Sequence, residues 1–350
     1  MESSFRLAPF VGWSALGDYI LRRLYQALWV LIAVTFVTFF ISNMLPGDPA
    51  LSRAGQFATK EQVAKTRILL GLDQPLHIQY FKYMQRLLSG DLGLSIVSRQ
   101  PVLKELRDFF PATLELTIAA LCFTLTIGVP LGVLAGSTKS RWLKSSIITG
   151  SLIGVGIPVF WAGLVFQLVF AGRLDILPLS GRLTLATPPP PSVTNMYLID
   201  SILAGQWDTF KDALIHLILP AFTLSLGQIG AMARTTNSAM ASVIHRDYVR
   251  TAHAKGLAEM KVLWSHVLRN ALLPVVTVLG LYVAFMLNGA LLIEIIYSWG
   301  GLGTYAWIGI FRNDITVIMG VTLTASFTFM FVNLVIDLTY PFLDPRIHYS

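Results

Sequence analysis

Long apolar runs separated by shorter polar stretches dominate the chain from residue 24 to residue 340. Each run is long enough to cross about 30 Å of hydrocarbon as a helix that rises about 1.5 Å per residue. The six runs are Leu24–Leu45, Thr113–Ser137, Ser145–Ala171, Leu214–Thr235, Ala271–Tyr297 and Ile315–Tyr340. A β-barrel is excluded, because its strands would be about ten residues long and would alternate in polarity. The pattern predicts an all-α integral membrane protein with six transmembrane helices.

The first apolar run follows Arg22 and Arg23, where a secretory signal peptide would have its own apolar core. The run is longer than a typical signal core, and no clear small-x-small cleavage site closes it. We therefore expect a retained transmembrane anchor.

The charges of the loops orient the predicted spans, because cytoplasmic loops of membrane proteins are rich in Lys and Arg. The loop between the second and third runs holds Lys139, Arg141 and Lys144 and no acid. The loop between the fourth and fifth runs is also basic, whereas the loop after the third run has more acids than bases. We therefore expect the two basic loops in the cytoplasm, and with six spans both termini lie there as well.

This orientation divides the chain into five predicted parts. They are a cytoplasmic N-terminal segment at 1–18, a first transmembrane helix at 19–45, an external loop at 46–112, a five-span core at 113–340 and a cytoplasmic tail at 341–350. The external loop has apolar residues at helical spacing, as in Ile78, Phe81, Met84 and Leu87. This spacing predicts two or more short helices that form a small external cap between spans one and two. The sequence TPPPPS at 187–192 predicts a stiff spacer in the second external loop.

Composition agrees with a membrane protein. The chain is 54% hydrophobic and only 13% charged, whereas soluble domains have about 25% charged residues. The net charge of +7 is explained by the basic cytoplasmic loops, and no nucleic-acid partner is expected. The single cysteine, Cys122, excludes an internal disulfide and a Cys-rich metal site, and we expect it to be a buried thiol.

Small residues in the spans predict close contacts between helices. Gly128, Gly132 and Gly136 repeat every four residues, and Gly150 and Gly154 do the same. Such spacing lets two membrane helices approach closely. The partner helix could belong to this chain or to another subunit.

Several functional classes are disfavoured by what the spans contain. Glu115 and Glu294 are expected near the outer ends and Asp337 near the inner end, which leaves no carboxylate at mid-span for an ion-coupled carrier. Amide and carbonyl sites for sodium remain open. The sequence has no P-loop for ATP, no zinc-protease motif and no nucleophile elbow, so the chain is not expected to be an enzyme.

The most polar part of the chain is the loop 245–270 between the fourth and fifth runs. Its segment RDYVRTAHAK is compatible with a short helix, and Gly256 is placed to end that helix in the left-handed conformation. Tyr248, Thr251, Ala252 and Lys255 are predicted to share one face. This face could dock into another protein, or the helix could lie on anionic lipid. Both readings are compatible with the residues.

The same loop carries a family resemblance. DYVRTAHAKGL followed by HVLRNALLP resembles the coupling-loop signature of the peptide/nickel branch of ABC importer permeases. Further similar segments follow in the same order as in that family, including FPATLELT, IEIIYSWGGLGTYAWIGIFRND and NLVIDLTYPFLDPRI. The resemblance covers nearly the whole chain after the first eighteen residues and is strongest to the first of the two dipeptide-permease subunits.

The resemblance implies a type I ABC importer permease of MetI-like architecture in a bacterial inner membrane. It implies a second homologous permease, two ATP-binding subunits that use ATP and Mg, and an external solute-binding protein that delivers short peptides. This chain would bind no cofactor directly. The residues that would contact an ATPase subunit are Asp247, Tyr248, Arg250, Thr251, Ala252, Ala254, Lys255 and Gly256. Arg250-Thr251-Ala252 stands where many importers have Glu-Ala-Ala, so a salt bridge using that glutamate is not expected here.

Other functions stay open at this point. The same permease branch also imports nickel and other small solutes, and no residue distinguishes these from peptides. An ion-coupled secondary transporter and a channel-like protein without an ATPase are more distant alternatives. No substrate-binding residue is predicted.

Overall fold

The computed structural model describes residues 13–44, 48–55 and 57–343, and the regular structure in this part of the chain is entirely helical. The α-helices are α1 (Trp13–Met44), α2 (Pro49–Ala54), α3 (Lys60–Leu69), α4 (Leu76–Leu88), α5 (Val102–Phe123), α6 (Val129–Ser137), α7 (Arg141–Gly156), α8 (Val159–Phe166), α9 (Tyr197–Leu203), α10 (Trp207–Val243), α11 (Asp247–Ala254), α12 (Glu259–Lys261), α13 (Arg269–Ile296), α14 (Leu302–Phe311) and α15 (Ile315–Leu343). Three π-helical segments interrupt them at Thr124–Gly128, Gln167–Arg173 and Val262–Leu268.

The helices account for the six predicted spans. Four unbroken stretches are long and apolar enough to cross a membrane: Tyr19–Ile41, Val102–Ser137, Trp207–Val243 and Ile315–Leu338. Two bent pairs supply the others. Arg141–Gly156 meets Val159–Arg173 at 98°, and Glu259–Leu272 meets Pro274–Leu287 at 61°. The count of six is therefore consistent with the structure when each bent pair is one span.

Proline explains the sharpest bend. Ile157, the residue before Pro158, has an extended backbone with φ −77° and ψ 126°. The proline ring disfavours the helical conformation in the preceding residue, so α7 ends there and α8 starts in a new direction. Pro130 has a milder effect, because the π-helical turn Thr124–Gly128 precedes it and the helix continues through α6.

The second span begins well before the predicted Thr113. Its first turns carry Lys104 and Glu105, which kept this part of the sequence out of the apolar run. Val102 and Leu106 are nevertheless buried, and they pack with residues of α14 and α15. The start of α5 is therefore an amphipathic extension that hydropathy alone does not detect.

The glycine repeat of the second span packs against α10 of this chain. A Cβ atom on Gly132 would lie 2.4 Å from Thr236 Cβ and 2.6 Å from the Ala233 carbonyl oxygen. Gly128 and Gly136 approach Met232 and Met240 in the same way. This contact confirms the predicted close packing and assigns it to this chain's own helix.

Two other predictions about the spans need correction. A Cβ added to Gly150 would meet no other helix within 4 Å, so only Gly154 of the second glycine pair comes near another helix, at the Leu226 carbonyl oxygen. Cys122 is exposed on the outside of the bundle, where the expectation was a buried thiol. An apolar run gives no indication of which of its faces is turned inward, because both lipid and core accept apolar side chains.

Helices α2, α3 and α4 form the predicted cap, which rests on α1 and α15. Its contact is built by Tyr83 with Phe39 of α1 and Met319 of α15, and Tyr80 shares a hydrogen bond with Thr35 at 3.0 Å. The four apolar residues that predicted this helix do not all pack inward. Met84 and Leu87 join this contact, whereas Ile78 and Phe81 are exposed. Hydropathy underestimates tyrosine, whose ring packs while its hydroxyl forms hydrogen bonds.

Candidate functional site

The polar loop folds into a short helix, α11, with a well-defined end. The Gly256 N–H donates to the His253 carbonyl at 2.9 Å, and the Leu257 N–H donates to the Ala252 carbonyl at 3.4 Å. Gly256 has φ +73°. These bonds and this left-handed residue form a Schellman motif, in which Leu257 adds the accompanying apolar contact. The predicted glycine stop is confirmed.

The structure places most of the predicted coupling residues on the outer surface of α11 and its end. The exposed residues are Asp247, Tyr248, Arg250, Thr251, Ala254, Lys255 and Gly256. Ala252 is different, because it is 5% exposed and packs inward beside Val249. The predicted common face of Tyr248, Thr251, Ala252 and Lys255 is therefore wrong for Ala252. Its small side chain lets α11 lie close to its own bundle.

The inner face of α11 is joined to three spans. Val249 and Ala252 belong to one apolar cluster with Val133 of α6, Met240 of α10 and Val267 at the start of the fifth span. Each of these residues is less than a tenth exposed. α11 packs mainly on the segment Val262–Leu268 at the start of the fifth span. A rigid shift of α11 would therefore move this segment, which in turn contacts the second and fourth spans, because packed interiors deform little.

The outer surface of α11 is charged and open. The side chains of Arg250 and Asp247 lie 3.7 Å apart and are 76% and 99% exposed. A pair so exposed contributes little to stability. Lys255 and Tyr248 lie on the same open surface. These groups can change partners at low energetic cost, which suits a surface that contacts another protein.

A second group of polar residues lies at the opposite end of the spans. Glu115 accepts hydrogen bonds from Arg182 Nη2 at 2.8 Å and from the Leu198 N–H at 2.7 Å. The Arg182 guanidinium also lies over the Tyr197 ring, 3.6 Å from its centroid. Both charged side chains are largely buried, at 12% and 6% exposure. This ion pair fixes the loop after the third span onto the start of the second.

Glu294 organises the segment between the last two spans. Its carboxylate is fully buried and accepts hydrogen bonds from Thr113 Oγ1 at 2.5 Å and from the Thr304 N–H at 2.9 Å. A Cβ on Gly301 would lie 2.5 Å from Glu294 Oε1, so only glycine leaves room for this contact. The buried carboxylate thereby holds the start of α14 against the second span.

Two further acids secure the loops at this end. Asp314 is buried and accepts hydrogen bonds from Ser95 Oγ at 2.7 Å and from the Val97 N–H at 3.1 Å, which ties the segment between α4 and α5 to the start of α15. Asp200 is buried before α10. Burial alone would raise the pKa of Asp200, but hydrogen bonds from Thr194, Val193 and Asn195 outweigh it and lower this pKa below 3.8. Asp200 is therefore ionised at neutral pH.

Sequence reasoning missed one charged residue inside a span. Arg234 lies on α10 and donates from Nη1 to the Ser151 carbonyl oxygen of α7 at 3.1 Å. Among the described residues, no carboxylate forms an ion pair with it. The sequence prediction considered only carboxylates in the spans, whereas a basic residue inside a span is equally informative.

Comparisons with known proteins match nearly the whole chain. The model for "binding-protein-dependent transport system inner membrane component" matches residues 128–349, and the model for the N-terminal part of such membrane components matches residues 16–117. A probable D,D-dipeptide transport permease of Escherichia coli K12 is 44% identical over 93% of this chain and 96% of its own. A dipeptide transport permease of Alkalihalophilus pseudofirmus is 39% identical over 95% of this chain and 99% of its own.

One solved structure is also similar. The inward-facing MetNI methionine ABC transporter matches over 66% of this chain and 93% of that chain, with 15% identity and a TM-score of 0.49. The sequence matches are much stronger than this structural likeness. They cover both ends of the chain, including the loop that carries α11. This chain belongs to the family of binding-protein-dependent transport system inner membrane components, the permease subunits of ABC importers.

Proposed function

We propose that this chain is the permease subunit of an ATP-driven importer that moves short peptides delivered by a solute-binding protein. The observation that carries the proposal is α11, whose open charged surface is joined through Val249 and Ala252 to three spans. The coupling residues proposed here are the seven exposed residues of that surface, and Ala252 supports them from beneath. The chain itself hydrolyses no ATP in this scheme.

The proposed complex contains four kinds of subunit. A second homologous permease completes the membrane channel, two ATP-binding subunits use ATP and Mg, and a binding protein supplies the solute from outside. Both termini of this chain lie in the cytoplasm with α11. The basic residues of the α6–α7 loop and of the α11 region lie at the same end of the spans, which supports this orientation.

The peptide substrate is inferred from relatives. Those at 39–44% identity are named as transporters of dipeptides, D,D-dipeptides and di/tripeptides, and a glutathione transport permease of Salmonella paratyphi A is 35% identical over 95% of this chain. All of these substrates are short peptides with free carboxylates. No comparable observation favours nickel, and no group of three or more potential metal ligands occurs in the part of the chain described.

The coupling role can be tested by reversing one charge on α11. Arg250→Glu changes a side chain that is 76% exposed, so we expect normal insertion and complex assembly. Uptake of peptide into proteoliposomes should fall severalfold, because the ATPase subunit meets the wrong charge at its contact. Lys261→Glu is the matched control, since Lys261 is exposed in the same region but lies outside α11. Equal uptake by the two variants would contradict the coupling role of α11.

We further propose that the external cap and the proline-rich segment 187–192 contact the binding protein. The cap encloses a cavity of about 650 Å³ against α1 and α15, with Arg53, Lys82 and Arg86 in its lining. Deletion of 187–192 and, separately, Lys82→Glu should weaken stimulation of the ATPases by loaded binding protein. Basal ATPase activity serves as the control. Unchanged stimulation in both variants would rule out this contact.

A further inference from the structure

One face of α10 is polar although the helix spans the membrane. Gln228, Thr235, Ser238 and Ser242 follow one another at intervals of seven, three and four residues, which places them on a single helical stripe. Ser238 and Ser242 are exposed, and Gln228 and Thr235 are half-buried. Other faces of α10 are packed against α6, α7 and α13. Thr235 Oγ1 lies 3.5 Å from the Tyr282 hydroxyl of α13, and the stripe is open to its surroundings at Ser238 and Ser242.

Two hollows follow the stripe. One of about 360 Å³ is lined by Gln228, Gly154 and Tyr282, and the next, of about 600 Å³, is lined by Arg234, Thr235 and Ser242. The first volume falls in the range of small-molecule sites, roughly 300–1,000 Å³, whereas the second hollow is a shallow depression that is open at the surface. The stripe from residue 228 to residue 242 extends about 21 Å along the helix axis. Small and hydroxyl-bearing residues thus line a continuous wall through much of the bilayer thickness.

Arg234 lies in this wall, nine residues before α10 ends at Val243. Its hydrogen-bond partner Ser151 is ten residues beyond Arg141, the first residue of α7, which corresponds to about 15 Å from that end. A polar stripe turned to lipid would be unfavourable, and charged groups within spans normally face a bundle interior or a water-filled cavity. The carbonyl of Ser151 satisfies one donor of the guanidinium, and no carboxylate among the described residues forms an ion pair with it. The site is therefore suited to an anionic group that passes through.

We propose that Arg234 binds the free carboxylate of a short peptide in transit, while Gln228, Thr235 and Ser238 form the polar wall beside it. This inference rests on the proposed peptide-import function. Every short peptide ends in a carboxylate whatever its side chains, and arginine holds a carboxylate with two parallel hydrogen bonds. Such a site is permissive for peptide sequence and still selects for peptides. The polar stripe also continues toward α11, so the proposed peptide path and the coupling helix lie beside the same segment of α10.

The test uses the complete transporter in proteoliposomes with its binding protein and radiolabelled alanyl-alanine. The stereoisomer used is the one that the binding protein binds. Arg234→Gln should lower uptake by about ten- to a hundredfold, the range of a lost hydrogen bond to a charged group. Stimulation of the ATPases by loaded binding protein should persist, and Arg234→Lys should recover most of the uptake. Arg141→Gln is the control, since this arginine is exposed at the start of α7 outside the stripe.

A purely structural role would lower uptake and ATPase stimulation together and would not be rescued by lysine, and that result overturns the proposal. Uptake by Arg234→Gln equal to wild type also overturns it and leaves the peptide-import function intact. Absence of alanyl-alanine uptake by wild type, across all stereoisomers and with a loaded binding protein, overturns the import function itself.

Access to the stripe gives a second measurement. In a Cys122→Ala background, Ser238→Cys would be the single cysteine of the chain. A water-soluble maleimide should label it in the nucleotide-free complex, and alanyl-alanine in excess should slow the labelling. Failure to label in every nucleotide state would show that the second permease covers the stripe, and would overturn the proposed path.

Discussion

The end of α11 at Gly256 provides a sharp test of mechanical coupling. Gly256 has φ +73°, and a Cβ added there meets nothing within 4 Å. The cost of a side chain at this position therefore comes from the backbone alone. An L-residue in the left-handed region costs roughly 1–2 kcal/mol, and a β-branched residue costs more.

The short length of α11 makes this cost significant. Its eight residues lack a side-chain hydrogen bond at the N-terminal cap, and isolated helices shorter than about 12–15 residues are marginal in water. The helix depends on its Schellman motif and on the packing of Val249 and Ala252. A loss of about 1–2 kcal/mol changes the ratio of ordered to disordered α11 by about 5- to 30-fold.

We therefore expect Gly256→Val to lower peptide uptake by about 5- to 30-fold while the complex remains inserted and assembled. Gly256→Asn is the matched variant, because asparagine tolerates the left-handed conformation, and it should retain nearly normal uptake. Uptake into proteoliposomes, normalised to the amount of assembled complex, measures both. Normal uptake in Gly256→Val would refute the argument. Equal losses in both variants would show that the partner surface, and not the backbone, requires glycine.

Three further changes test the packing of the chain by thermal unfolding of the purified protein in detergent. Gly132→Leu should destabilise the protein by about 1–3 kcal/mol through overpacking. Gly150→Leu is the control and should not, because a side chain there meets open space. Equal effects of the two changes would contradict the assigned glycine contact. Arg182→Ala should cost about 3–5 kcal/mol by leaving Glu115 buried without its partner, and adding Glu115→Gln should recover part of the loss. The pKa of Asp200 is lower in the folded protein than in the unfolded chain. The ionised carboxylate therefore adds to the free energy of unfolding above about pH 4, and this contribution is lost as the pH falls through the pKa of the folded state. Asp200→Asn should flatten this acid-side fall in stability, and an unchanged pH dependence would refute the assignment.

Features set by local sequence were predictable. The number of spans follows from the apolar runs, and the end of α11 follows from Gly256. The glycines at 128, 132 and 136 correctly predicted a tight helix contact because their spacing has few other uses in a membrane helix. Each of these signals lies within about ten residues of the chain, where periodicity and backbone preference dominate.

Features that depend on distant contacts were missed. The short helix α14 was not predicted, because its position depends on Glu294 and Thr113, which are 181 residues apart. The inward orientation of Ala252 depends on Val262 and Val267, which the sequence places on another element. Arg234 was visible in the sequence but lay at the edge of an apolar run. The surroundings of its side chain depend on the positions of α7 and α13, which the sequence does not give.

The hydrogen bond between Asp314 and Ser95 has a consequence for how the protein is made. It joins residues 219 positions apart, and the same carboxylate also receives the Val97 N–H. At a synthesis rate of roughly 5–20 residues per second, the segment around Ser95 waits about 10–45 s for this acid. During that interval Ser95 and Val97 lack their final acceptor. A nascent chain that stalls before its last span therefore leaves this segment without the carboxylate that completes its hydrogen bonds.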